Sequence, residues 1–76
     1  VKRRDIMNDE TYEFSQRLRA LRKLKNQTQQ QVSDFLHLNR STYAYYESGK
    51  ASPSLQTLVL LSEYYEVSTD FLLKGD

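Results

Sequence analysis

The chain has 76 residues, a formal net charge of +1, no cysteine and a single methionine. A domain of this size is near the limit at which an apolar core alone holds a fold. Without cysteine it has neither disulfides nor thiolate metal sites, so the expectation is a reducing, cytoplasmic setting. The longest apolar run, Leu58 to Leu61, is far short of the roughly 20 residues a bilayer span needs, so a soluble protein without a membrane partner is expected.

The near-zero net charge hides an asymmetry. Lys2, Arg3, Arg4, Arg17, Arg19, Arg22, Lys23 and Lys25 face only Asp5, Asp9, Glu10 and Glu13 in the first third, whereas Lys74 stands against Glu63, Glu66, Asp70 and Asp76 in the last. Such a split suits a domain that turns one face toward a polyanion. Equally, Arg17, Arg19, Arg22, Lys23 and Lys25 read as the solvated side of a helix, and charge alone does not decide between the two.

In chain order, the segment VKRRDI and the residues to 9 read as a flexible N-terminal arm, with Asp9 available to cap the first helix. Phe14, Leu18 and Leu21 fall at i, i+4 and i+7 and predict that amphipathic helix from about residue 10 to 25. Asn26 suits its left-handed end. Thr28 then caps a second helix, Gln29 to Leu36, with Val32, Phe35 and Leu36 inward. His37 to Asn39 form a three-residue break, and Asn39 is placed to accept from the first amides of a third helix, Arg40 to Ser48, which Gly49 ends. Ser54 caps a fourth helix with Leu55, Leu58, Leu61 and Tyr65 as its inner stripe. Ser68 caps a short fifth, with Asp70 favourable to its dipole and Phe71 and Leu72 apolar. No stretch alternates as a strand does. The fold class is therefore all-α, with five helices and short links.

The third helix carries three tyrosines in four positions. Tyr43 and Tyr46, spaced i, i+3, share a side and fit the core if they pack on Phe35, Leu18 and Leu58; Arg40, Ser41, Ala44 and Tyr45 fall on other sides. The three-residue break before this helix is the length that holds two helices at a helix-turn-helix angle.

The stretch TQQQVSDFLHLNRSTYAYYESGKASPSLQTL resembles the lambda repressor and Cro-like helix-turn-helix family, also called the xenobiotic-response-element type. Gln29 after the cap, small Ser33, YESGK, PSLQTL and VSTDFLL stand in family order over about Phe14 to Leu73. The resemblance implies a five-helix lambda-repressor-like domain over residues 10–76, with the helix-turn-helix formed by the second and third helices and double-stranded DNA as partner. Asn26, His37 and Glu66 stand where the family often has glycine; Asn and His tolerate positive φ better than Glu. Gln27 replaces an apolar residue before the second helix, which weakens its entry staple.

The candidate site comes from this placement. Asn39, Arg40, Ser41, Ala44 and Tyr45 are the base-reading set, with Arg40 able to pair bidentately with guanine and Tyr45 able to meet a thymine methyl or a phosphate. Arg22, Gln29, Thr42, Ser48 and Lys50 are the phosphate-binding set, near helix N-termini or on flexible basic groups. Glu47 resembles the family's glutamate that pairs with a first-helix arginine, here Arg22, as a structural ion pair. His37 has no metal-ligating or catalytic companions nearby. No metal, no cofactor and no enzymatic chemistry is expected, since there is no nucleophile and base pair, carboxylate cluster or glycine-rich phosphate loop.

These readings give a sequence-specific transcriptional regulator, a repressor acting as a homodimer on a pseudo-palindromic operator. The other class is an antitoxin or protein-interaction module on the same scaffold, with a toxin or antirepressor as protein partner. For self-association, the fifth helix and the outer side of the fourth offer Tyr64, Phe71, Leu72 and Leu73, of which Phe71 and Leu72 equally suit the core.

Overall fold

The computed structural model describes the backbone of residues 2–76 and the side chains of residues 11–76. The described residues form five helices and no strand: α1 (Lys2–Leu24), α2 (Gln29–Leu36), α3 (Arg40–Ser48), α4 (Leu55–Tyr65) and α5 (Thr69–Lys74). The all-α architecture is as expected. α1 starts upstream of the anticipated residue 10, so Asp9 lies inside the helix and does not cap it. Nothing in residues 2–9 is a proline or glycine that would stop a helix there. The side chains of the segment expected to be an N-terminal arm lie outside the described residues.

Three helix ends share one device. Asn26 (φ 60°), His37 (φ 59°) and Glu66 (φ 57°) all adopt the left-handed conformation. At each, two successive amides return to the preceding turn: Asn26 and Gln27 to Lys23 and Arg22, His37 and Leu38 to Asp34 and Ser33, Glu66 and Val67 to Glu63 and Ser62, at 2.8–3.2 Å. This closure satisfies carbonyls left orphaned at a helix end. It also explains how three non-glycine residues hold a conformation that costs them some strain.

Starts are equally well defined. Thr28 and Gln31 form a reciprocal capping box, Thr28 Oγ1 accepting from the Gln31 amide at 3.1 Å and Gln31 Oε1 from the Thr28 amide at 2.8 Å. Ser54 and Ser68 accept from the Thr57 and Phe71 amides. Asn39 differs from expectation: it occupies the cap position with extended backbone, yet its side chain makes no capping bond. Its exposed amide is left on the surface beside Arg40.

The core contains Phe14, Leu18, Val32, Leu36, Tyr43, Tyr46, Leu58, Leu61, Tyr65 and Leu72. Two apolar residues expected inside lie outside. Phe35 is 59% exposed because Val32, Ser33 and Leu36 set the buried arc of α2; small Ser33 lets that side approach its neighbours, and Phe35 packs edge-on against Tyr64 at 4.8 Å instead. Leu55 is 83% exposed, since the inner stripe of α4 begins a turn later, at Leu58. Leu72, which suited either self-association or the core, is fully buried in the core, and Tyr64 is half-buried.

α3 sits against both α1 and α2. Buried Ser15 on α1 donates to the Tyr46 carbonyl at 2.8 Å, a tie between the two helices that the apolar periodicity gives no sign of. α5 packs on α1, where Arg17 reaches the Leu72 carbonyl at 3.0 Å and Glu13 at 3.4 Å.

Candidate nucleic-acid interface

The side chains of α3 divide by helical geometry into two sides. Tyr43, Tyr46 and Glu47 are buried, as the i, i+3, i+4 spacing requires of one face. Asn39, Arg40, Ser41, Tyr45 and Ser48 are exposed, with Ala44 and Thr42 partly covered at the margins. Tyr43 and Tyr46 were expected inward and are; their rings meet edge to face at 6.3 Å. The Tyr43 hydroxyl meets that of Tyr65 at 2.6 Å, while Phe35 pairs with Tyr64. Burial pushes the Tyr65 phenol up to about 12 and drives Tyr43 well above the ordinary phenol value.

The ion pair between Arg22 and Glu47 is bidentate, Nε to Oε2 at 2.8 Å and the second nitrogen to Oε1 at 3.1 Å. The Glu47 side chain retains only 3% of its surface. Its burial alone would raise the carboxyl, but hydrogen bonds from Arg22, Tyr43 and Gln29 outweigh that and hold it below its ordinary value. The same bond, opposed by burial, raises the Arg22 guanidinium. The remaining terminal nitrogen of Arg22 donates to the Gln27 carbonyl at 3.0 Å. All three nitrogens of Arg22 thus have intramolecular acceptors, which use three of the five N–H groups of its guanidinium.

Gln29 was proposed as a phosphate contact, and the structure gives it a further task that sequence reasoning missed. Its amide nitrogen donates to Glu47 at 3.1 Å while its oxygen accepts from Arg40 at 3.2 Å. A side-chain amide carries a donor and an acceptor on one planar group, so it can bridge a carboxylate and a guanidinium. The result is a continuous path from the α1 arginine, through the buried glutamate and α2, to the exposed head of α3. Residue type is the one signal available in the sequence, since the bridge needs three helices in place.

Gln27, which departs from the family's apolar residue, accepts from the Tyr64 hydroxyl at 3.2 Å. A polar bond there takes the place of an apolar staple. On α1, Arg17 and Arg22 are engaged within the protein and Arg19 and Lys23 are exposed, while Lys25, just past the helix end, lies over the Tyr64 ring at 5.2 Å. Of the expected phosphate set, Ser48 donates its hydroxyl to the Tyr45 carbonyl at 3.2 Å, and Lys50 rests over the Tyr45 ring at 5.8 Å.

Comparison with known proteins accords with this geometry. The helix-turn-helix family profile matches residues 18–72, and the chain belongs to that family, in its lambda-repressor-like form. It is similar to the SPbeta prophage-derived uncharacterized HTH-type transcriptional regulator YonR of Bacillus subtilis, 52% identical over 62 residues that cover 82% of this chain and 57% of the relative. It is 36% identical over 59 residues to the cryptic phage CTXphi transcriptional repressor RstR of Vibrio cholerae, covering 78% and 53%. It is 38% identical over 64 residues to the HTH-type transcriptional activator BcrR of Enterococcus faecalis, covering 84% and 31%. The chain thus spans about half the length, or less, of these curated relatives. No solved structure gave a significant match. No helix among the described residues is long and apolar enough to cross a membrane.

Proposed function

We propose that the chain is the sequence-specific DNA-binding part of a cytoplasmic transcriptional regulator, acting by occupancy as a repressor. The observation that carries this reading is the two-sided α3. An exposed row of Asn39, Arg40, Ser41, Ala44 and Tyr45 stands on a helix whose opposite side is fastened by Tyr43, Tyr46 and Glu47. Arg40 pairs with the O6 and N7 of a guanine, its approach set by Gln29, and Tyr45 meets a thymine methyl. Phosphates are met by the α2 N-terminus with Gln29, and by Thr42, Ser48 and Lys50. The relatives named as transcriptional regulators support the class; RstR is named a repressor and BcrR an activator, so the repressor sign rests on action by occupancy.

The regulator works as a homodimer on a pseudo-palindrome with half-sites about 34 Å apart. Support comes from the apolar surface on α4 and α5, where exposed Leu55 and Leu73 line a groove with Phe14, Pro53 and Leu58. This set replaces Leu72, which the core claims.

Duplex binding measured against salt tests the proposal. Affinity should fall linearly in log–log form, with a slope near −0.9 for each neutralised phosphate. A slope near zero would contradict DNA binding and favour a protein partner, such as a toxin or antirepressor.

A further inference from the structure

We infer that Lys50 is a positioning residue for Tyr45, holding the ring where it meets a thymine, and does more than clamp a phosphate. The inference rests on the DNA-binding function proposed for α3. Gly49, at φ 83°, turns the chain back on α3. The amides of Gly49, Lys50 and Ala51 and the hydroxyl of Ser48 then all converge on one acceptor, the Tyr45 carbonyl; the Lys50 and Ala51 bonds measure 3.0 and 3.3 Å. The backbone of Lys50 is thereby tied to that of Tyr45, and its ammonium lies 5.8 Å from the centroid of the Tyr45 ring, within cation–π range.

Tyr45 needs such a partner. Its side chain is 48% exposed, and a tyrosine with free rotamers must be ordered when it binds. Its neighbours Tyr43 and Tyr46 are oriented by the core; Tyr45 lies on the opposite side of the helix. A lysine over one ring face fixes the ring and leaves the other face and the edge for the base pair. Its aliphatic stem covers apolar surface while the ammonium keeps its own donors. Contact with a thymine methyl is short-ranged, so small rotations of the ring alter base preference more than overall affinity.

The test selects bound duplexes from a random pool with the 76-residue chain and with Tyr45→Ala, Lys50→Met and Lys50→Arg, folding being checked by circular dichroism. Tyr45→Ala identifies the base pair under the ring, and uracil then replaces thymine there, removing only the methyl group. Lys50→Met should lose preference at that same pair by about two- to fivefold, the size an exposed cation–π contact supports. Lys50→Arg should retain it, and Lys50→Met should change nothing further there in a Tyr45→Ala background. The inference is overturned if Lys50→Met weakens all sequences alike, with a shallower salt dependence and thymine over uracil preference intact. A Tyr45→Ala profile identical to the native one overturns it too. No salt-dependent duplex binding by the native chain would overturn the DNA-binding reading itself, a separate result from binding with undisturbed preference.

Discussion

The inner and outer sides of α3 have nearly opposite chemistry within one short helix. Inside, the Tyr43 hydroxyl meets that of Tyr65, the Glu47 carboxylate accepts from Arg22 and Gln29, and the Tyr46 carbonyl accepts from Ser15. Outside, Asn39 leaves its amide uncommitted to capping and Arg40 donates to Gln29. The difference teaches that position within the helix, and not residue type, decides whether a tyrosine here is structural or available. A small domain without cysteine holds a presenting surface still by satisfying everything behind it.

Substitutions on the two sides should separate stability from recognition. The largest effect falls on the inner side: Tyr43→Ala removes a fully buried ring and should cost about 3 to 5 kcal/mol in urea unfolding, while Tyr45→Ala should stay within about 0.5 kcal/mol of the native chain. Equal losses would break the comparison.

Next is Glu47→Gln, which leaves Arg22 without its carboxylate and should cost about 3 kcal/mol. Because the folded Glu47 carboxyl lies below its ordinary 4.5, this contribution is present above pH 4.5 and is lost as pH falls through the folded value. Acid unfolding followed by circular dichroism should therefore differ between native and variant at about pH 6 and converge at low pH. Tyr43 and Tyr65 work in the other direction. Their folded phenols are raised from 10.0, Tyr65 to about 12, so stability is fully present below pH 10 and declines as pH rises through 12. The smallest inner effect is Tyr65→Phe, about 1 kcal/mol for one buried hydrogen bond, and it should blunt that alkaline loss.

Much of the fold was legible from local signals. The bounds of α2 and α3 follow from Thr28, Gly49 and the three-residue break, because caps and turns act within a few residues. The split of Tyr43 and Tyr46 from Tyr45 is helical spacing alone. Phe35 and Leu55 were misplaced because apolar identity does not say which arc of a helix faces the core when the arc is set by neighbours such as Ser33. The start of α1 escaped because no breaker precedes residue 10. The Gln29 bridge and the Lys50–Tyr45 contact depend on groups brought together by the fold, and residue types alone leave them undetermined.

The central claim is that the exposed row on α3 reads base sequence, and Arg40→Ala tests it most directly. Selection from a random duplex pool, with the melting temperature measured alongside, should show unchanged stability, a loss of about 1 to 3 kcal/mol in binding, and relaxed preference at one G·C pair. An Arg40→Ala variant that selects the same sequences as the native chain would contradict the account.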